Sequence, residues 1–457
     1  MGIFLITMYT VVGCCYVENQ GAQLIMNYSQ LFSLVIIFIG YIGAILEHKT
    51  HLKKSIAMGL AATVLWFCLP FWLKLDHYEL VLLYEDRFFE FSELFFFIFV
   101  AMSYVIALEE FGFFKFIQAA LSRYHLSTRK LFWIVTSLAF FLSPLLDNLT
   151  TALLMGQLLL SFARSHRNLI QLGFIGIVIA ANAGGVFSPF GDITSLMIWQ
   201  EGHIQFLEFF PLFIPSLVTY LIPAFALSRA IHDLPLTERQ AESIWDHWPA
   251  ISIFMTFMGT ILFTLIAEHA VGFPPVFGML AGLMMLAILE RTVLPQKHVH
   301  TDIFKRMGQI DFDTILFFYG LTLAVEALQL LNILELMARF LYQTFPEMLM
   351  CYTPAWQLNL GHIFIGLLSA IIDNIPMMAA VLKMNLNCSL GSWQLLTLTT
   401  GVGGSLLSLG SAAGIGLMGL APKEYNFQKH LKWTPIILIG YFGGVASHFI
   451  LNAKSFL

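Results

Sequence analysis

Two short polar clusters break into an otherwise apolar chain. In Ser143-Pro144-Leu145-Leu146-Asp147-Asn148-Leu149-Thr150-Thr151, one carboxylate, one amide and two hydroxyls fall within five residues. Asp147, Asn148, Thr150 and Thr151 all offer oxygen, the donor that hard cations prefer. The second cluster, Gly184-Gly185-Val186-Phe187-Ser188-Pro189-Phe190-Gly191-Asp192-Ile193-Thr194, adds a carboxylate and a hydroxyl after a stretch that cannot easily stay helical. Pro removes a backbone donor and Gly carries a helix penalty, so a break is expected there. Its freed carbonyls and half-helix ends can coordinate a cation where they line a cavity. Burial disfavours a charged carboxylate whereas a bound cation favours it, so a proton and a metal ion can compete for Asp147 or Asp192. That competition is the minimal chemistry of exchange.

Both clusters recur. Ser369-Ala370-Ile371-Ile372-Asp373-Asn374-Ile375-Pro376-Met377 repeats the first at an offset of 226 residues, and Gly403-Gly404-Ser405-Leu406-Leu407-Ser408-Leu409-Gly410-Ser411 repeats the second at 219. The second copies hold fewer ligands: Pro376 stands where Thr150 does and Ser411 where Asp192 does, leaving Ser405, Ser408 and Ser411 as weaker ligands or packing residues.

The elements that carry these clusters are set by hydropathy. Of 457 residues, 58% are hydrophobic and 11% charged, against roughly 25% charged in an average soluble domain. An ordinary cytosolic enzyme is thereby excluded. The net charge of -5 gives no basic field for nucleic acid. The five Cys show no Cys-x-x-Cys pair, and the 14 His no metalloprotease spacing. No enzymatic activity, cofactor or resident metal is expected. Apolar runs predict an all-α polytopic membrane protein with spans near 27–47, 55–73, 93–112, 169–199, 206–228, 248–267, 273–290, 311–332, 394–420 and 433–453. Residues 3–17 are read as a short first helix, in preference to a signal or lipoprotein leader, because no basic residues precede them. That makes about 11 spans.

Stretches 131–163 and 355–384 fit neither one crossing nor two. One helix of 33 residues would be roughly 50 Å long, beyond a ~30 Å core. Each is expected to be a re-entrant hairpin. Arg123, Arg129 and Lys130 precede the first hairpin and Arg164 and Arg167 follow it, so both its ends lie on one side. With both stretches read this way, 18 of the 23 cations share one face, which the positive-inside rule places in the cytoplasm. The first hairpin then enters from the cytoplasm and the second from outside. The expected organisation is scaffold helices over 1–92, a first repeat over 93–228 (hairpin 131–163, broken helix 169–199), a linker with scaffold helices over 229–310, and an inverted second repeat over 311–457 (hairpin 355–384, broken helix 394–420). Inverted repeats allow inward-open and outward-open states of similar energy, the hallmark of a secondary transporter.

Plainer roles remain for several residues. Asp147 and Asp373 could be hydrogen-bond hubs of their hairpins, although a mid-membrane Asp costs about 2.5 to 3.5 kcal/mol and so requires compensation. Glu326, mid-span, is the candidate for proton handling. Glu109 and Glu110 read as a solvated helix end, Lys383 as snorkelling at the outer mouth rather than a counter-ion, and His448 as a packed core residue.

The clusters together resemble the NhaD-type sodium/proton antiporters of the ion transporter superfamily. The resemblance rests on Leu146-Asp147-Asn148-Leu149-Thr150-Thr151, Asn182-Ala183-Gly184-Gly185 through Gly191-Asp192-Ile193-Thr194, Asp373-Asn374-Ile375-Pro376, and Gly403-Gly404-Ser405 through Gly410-Ser411-Ala412-Ala413. It implies a bacterial inner-membrane protein with a transport domain of two hairpins and two broken helices, a dimerising scaffold, and exchange of Na⁺ or Li⁺ for H⁺ in sodium and pH homeostasis. It places Asp147, Asn148, Thr150, Asp192, Thr194, Asp373 and Asn374 in the site. Two departures stand out: Ser188 replaces an expected Thr, and an acid expected near Ile106 is absent while Glu326 is present. A dicarboxylate or arsenite transporter of the same superfamily is the alternative, but Asp147 and Asp373 would repel an anion at the hairpin tips. An intramembrane aspartyl protease would need Tyr-Asp and Gly-x-Gly-Asp, where this chain has Leu146-Asp147 and Pro189-Phe190-Gly191-Asp192.

Overall fold

The computed structural model describes residues 27–45, 52–74, 77–163, 166–236, 248–292, 308, 310, 312–344, 354–384, 386–408 and 410–456. The expected first helix over 3–17 lies outside them. The described residues form helices and turns, with no strand among them. In chain order these are α1 (Tyr28–Ile45), α2 (Lys54–Leu73), α3 (His77–Glu110), α4 (Phe113–Leu121), α5 (Thr128–Leu146), α6 (Asn148–Ala163), α7 (Arg167–Gly185), α8 (Ile193–Gln200), α9 (Phe213–Arg229), α10 (Trp248–Val271), α11 (Pro275–Thr292), α12 (Phe312–Leu330), α13 (Ile333–Arg339), α14 (Pro354–Leu368), α15 (Asn374–Leu382), α16 (Leu390–Gly403), α17 (Ala412–Leu420), α18 (Phe427–Leu431) and α19 (Thr434–Leu451). Among the described residues 8 helices are long and apolar enough to cross a membrane, or up to 9 if a bent pair over 315–344 counts as one span. The protein is an integral, multi-pass membrane protein.

The described part divides into two units, one within Met1–Leu83 and Leu316–Leu334, the other within Tyr84–Ile315 and Glu335–Leu457. Residues 316–334 group with the N-terminal helices in the first of these units. In that first unit α1 and α2 approach closely through small residues. A Cβ on Gly40 would lie 2.7 Å from the Ala61 Cβ, and one on Gly43 2.9 Å from that of Ala57. The indole of Trp66 donates to the Leu323 carbonyl at 2.9 Å, and the Gln30 amide to that of Leu331 at 2.9 Å. Glu326, 2% exposed, belongs to this unit. The expected span 311–332 ends as α12 at Leu330. The chain then turns at Asn332, whose φ is 57°, into α13 and a π-helical turn (Phe340–Thr344), a continuation the hydropathy reading did not foresee.

In the second unit α5 packs on α7, α6 on α7 and α17, α9 on α19, and α14 on α16. Phe132, Phe140, Phe174, Tyr220 and Tyr441 are among the large side chains fully buried in its core. The Ser127 side chain caps α5 by accepting from the Lys130 N–H. Arg129 reaches from that turn to the end of α9, where its guanidinium donates to the carbonyls of Ser228 and Ile231 at 3.1 and 3.0 Å. A cation is favoured there because it meets the unpaired carbonyls of a helix C-terminus.

Candidate functional site

The stretches 131–163 and 355–384 are each divided into two helices, the second of which follows an Asp. α5 stops at Leu146, and Asp147 takes φ 59° and ψ 159° before α6 begins at Asn148. The Asp147 carboxylate closes this turn on itself: one oxygen accepts the Thr150 N–H at 2.9 Å, the other the Thr150 hydroxyl at 2.7 Å. It satisfies an orphan donor at the start of α6, as an N-cap does. In the second pair α14 ends at Leu368, and Asp373 precedes α15, which starts at Asn374.

Both Gly-rich spans are broken where the glycines predict. α7 ends at Gly185 and α8 begins at Ile193; α16 ends at Gly403 and α17 begins at Ala412. Close backbone approach explains the residue type. A Cβ on Gly184 would collide with the Phe140 carbonyl oxygen, and one on Gly403 with that of Gly366. The two regions match atom for atom at further points. Ser143 donates to the Ala181 carbonyl at 2.6 Å, and Ser369 to that of Thr400 at 3.1 Å. Asp192 (φ -145°, ψ 144°) and Ser411 (φ -144°, ψ 130°) precede α8 and α17 in the same extended conformation.

Asp192 is 4% exposed. One carboxylate oxygen accepts the Asn374 amide N–H at 2.8 Å, a partner 182 residues away; the other faces the Thr194 N–H at 3.5 Å. Asp373 interacts with Asp192 electrostatically, like charge against like. The buried Thr194 side chain sits at the start of α8 beside them.

Asn182 organises the other side of the cluster. Its carbonyl oxygen accepts from the Asn148 amide at 3.2 Å and from the Ser411 hydroxyl at 2.9 Å, while its own amide donates to the Ser405 hydroxyl at 2.8 Å. The start of α6, the end of α7 and the segment between α16 and α17 therefore meet at one side chain. Asn182 stood in the sequence motif without a role. Its signal was an amide, 0% exposed here, in an otherwise apolar and small run. The hydroxyl of Thr151 is buried with no hydrogen-bond partner.

Two expected residues of this unit lie apart from this cluster. The Ser188 hydroxyl accepts from the Phe190 N–H at 3.2 Å within its own turn. Ser408, at φ 64°, pairs with the Tyr425 hydroxyl at 2.6 Å. Glu326 falls in the other unit. Elsewhere, Glu109 and Glu110 are exposed as expected. His448 is fully buried, its Nε2 at 2.9 Å from the Gly391 carbonyl. Lys383 differs from expectation: it is not merely extended to solvent but pairs with Glu201 at 3.1 Å.

No group of three or more His, Cys, Asp or Glu stands together among the described residues. Carboxylates with amides and hydroxyls make up the donor set, which suits a hard monovalent cation.

A family model described as a citrate transporter matches residues 41–403. The chain is 40% identical to the Na(+)/H(+) antiporter NhaD of Vibrio cholerae, over 93% of this chain and 92% of that protein. It is 39% identical to the NhaD of Alkalimonas amylolytica, over 93% and 91%. Sodium/proton antiporter 1 of Arabidopsis thaliana is 30% identical over 92% of this chain and 72% of its own length.

Proposed function

The chain belongs to the NhaD-type sodium/proton antiporters, within the family that the citrate-transporter model describes, and from that premise we propose how it exchanges Na⁺ or Li⁺ for H⁺. The observation that carries the reading is the hydrogen bond from Asn374 to Asp192. It joins the tip of one helix pair to the break of the opposite Gly-rich span, two segments that sequence separates by most of a repeat.

Asp373, half-buried, stands close enough to the buried Asp192 that the two carboxylates, when both ionised, would repel each other, and a single positive charge relieves that repulsion. A proton or a Na⁺ supplies it equally well, and both cannot occupy the same carboxylate oxygen. Binding Na⁺ displaces the proton; protonation releases Na⁺. Asp147, held by Thr150, is the second carboxylate in this competition, since an ionised carboxylate keeps lone pairs beyond the two used in its turn. Thr194, Asn148, Asn182, Ser405 and Ser411 then supply neutral oxygen without adding charge. The geometric matches between the two halves support an inverted repeat, with two re-entrant hairpins and two broken helices working by alternating access. The concentration of 18 of 23 cations on one face supports cytoplasmic basic loops.

An anion substrate, as the description of the family model suggests, fits less well. The carboxylate beside the amide at each tip is negative, and an isolated dicarboxylate would meet repulsion where it needs donors.

The test is cation-induced collapse of a pH gradient in everted membrane vesicles, with Na⁺, Li⁺, K⁺, succinate and arsenite added separately. Wild type should respond to Na⁺ or Li⁺, and Asp192→Asn and Asp147→Asn should each abolish the response at unchanged amounts of folded protein. A response to succinate or arsenite alone would refute the substrate, and full activity in either variant would remove that residue from the site.

A further inference from the structure

The two breaks are held differently. At the first, the carbonyls of Gly185 and Val186 meet the Ser195 hydroxyl only at 3.5 and 3.4 Å, from within the same broken helix. At the second, one outside segment reaches three successive points. His430 Nε2 lies 2.7 Å from the Ser405 carbonyl, the Thr434 hydroxyl donates to the Leu406 carbonyl at 2.7 Å, and the Tyr425 hydroxyl meets the Ser408 hydroxyl at 2.6 Å.

The donor directions in this network are fixed by elimination. A carbonyl only accepts, so His430 Nε2 carries the proton. In the neutral imidazole the other ring nitrogen, Nδ1, is then an acceptor. Tyr425, 2.8 Å from Nδ1, must then donate to it and accept from Ser408. Tyr425 and His430 are both 0% exposed, and Phe174 of α7 packs edge-on against the Tyr425 ring. The relay thus runs in one direction, from Ser408 through Tyr425 to His430 and on to the Ser405 carbonyl.

We propose that the segment Tyr425–Thr434 is a clamp that holds the second break in a single shape, and that His430 is a positioning residue for Ser405 in the cation site. The proposal rests on the reading of Ser405 and Asn182 as site residues. His430 holds the Ser405 carbonyl while the Ser405 hydroxyl takes the Asn182 amide N–H, so a fixed Ser405 backbone fixes the orientation of Asn182.

The experiment compares His430→Leu, His430→Gln, Tyr425→Phe and Ser405→Ala in everted vesicles, reading half-saturating Na⁺, maximal rate per folded protein, and folded yield. His430→Leu should raise half-saturating Na⁺ about tenfold, the size expected when one buried hydrogen bond is left unmade. His430→Gln, whose amide reaches the same carbonyl, should restore most of the affinity. Tyr425→Phe should raise half-saturating Na⁺ about threefold on the same grounds. Adding Ser405→Ala to His430→Leu should cost little more than either change alone. Reduced yield with unchanged half-saturating Na⁺ would overturn the clamp as a device of the site, because a purely structural histidine behaves that way. If His430→Leu does not fold, wild-type half-saturation in Tyr425→Phe overturns the proposal by itself. A silent Ser405→Ala would instead refute the site reading, whereas a strong Ser405→Ala effect beside a silent His430→Leu refutes the clamp alone.

Discussion

Replacing Asn182 with Ala removes three hydrogen bonds at once, from Asn148, from Ser411 and to Ser405. Hydrogen bonds between membrane helices average about 0.6 kcal/mol and reach about 1.7, so the three together contribute roughly 2 kcal/mol. The loss is unequal. The Ser405 and Ser411 hydroxyls can rotate towards other acceptors, but the Asn148 amide, 9% exposed, is left with an unpaired N–H that costs about 1–3 kcal/mol. Asn182→Ala should therefore destabilise by about 2–4 kcal/mol, measured by reversible unfolding in mixed micelles. A double-mutant cycle with Asn148→Ala isolates the direct term. Once Asn148 is truncated nothing remains to be orphaned, so the two changes should be less than additive by at least about 0.6 kcal/mol. Strict additivity, or an Asn182→Ala protein as stable as wild type, would show that Asn182 does not join the three elements and would refute the construction of the site around it.

Gly184→Ala and Gly403→Ala should each lose folded protein, because the added methyl meets backbone carbonyls that cannot move aside; overpacking costs about 1–3 kcal/mol or more, and normal yields would mean that the breaks are looser than described. Lys383→Met should change stability by less than about 1 kcal/mol, since the Glu201 partner is 37% exposed and solvent screens the pair; abolished exchange would place Lys383 in the transport path. Asp233, outside the spans, is held below the usual carboxylate range by the Ser127 hydroxyl first and by the Arg129 N–H and charge after it. A depressed folded-state value means that its stabilisation is present above the unfolded value near 3.9 and lost as pH falls through the lower folded one. Asp233→Asn should accordingly be less stable than wild type at neutral pH, and the thermal-melt gap between them should close towards pH 3; a constant gap would show that the carboxylate charge is not what Ser127 and Arg129 hold.

Helix breaks were legible because Gly and Pro act locally. The run Gly184 to Gly191 places the first break and Gly403 to Gly410 the second without any knowledge of partners. The length of 131–163 likewise forced a division, and the chain divides at Asp147. Long-range pairing was not legible. Asn182 finds Ser405 across 223 residues and Asp192 finds Asn374 across 182, and no spacing rule connects positions so far apart. Which of the two roles left open for Ser408 its surroundings favour was hidden for a local reason. The residue lies in the right motif, but a left-handed backbone turns it towards Tyr425, and hydropathy carries no information on φ. The continuation after Asn332 was hidden because 333–344 is too short and mixed to read as a span.

The two halves also differ where function needs them to. On the inverted-repeat reading, Asn182 corresponds to Gly401, and a Cβ there would lie 2.6 Å from the Val186 Cγ2, so packing against the first break closes that position to a second amide. Asp192 corresponds to Ser411, which donates to Asn182 instead of carrying charge. Had Ser411 been Asp, a further buried carboxylate would face the Asn182 carbonyl oxygen, an uncompensated charge in a low-dielectric site. With a serine and a glycine in the second half, the two copies share a backbone geometry while only the first keeps a carboxylate at its break. On this reading the first half carries Asp192 at its break, and the second supplies Asp373 and the neutral donors around it.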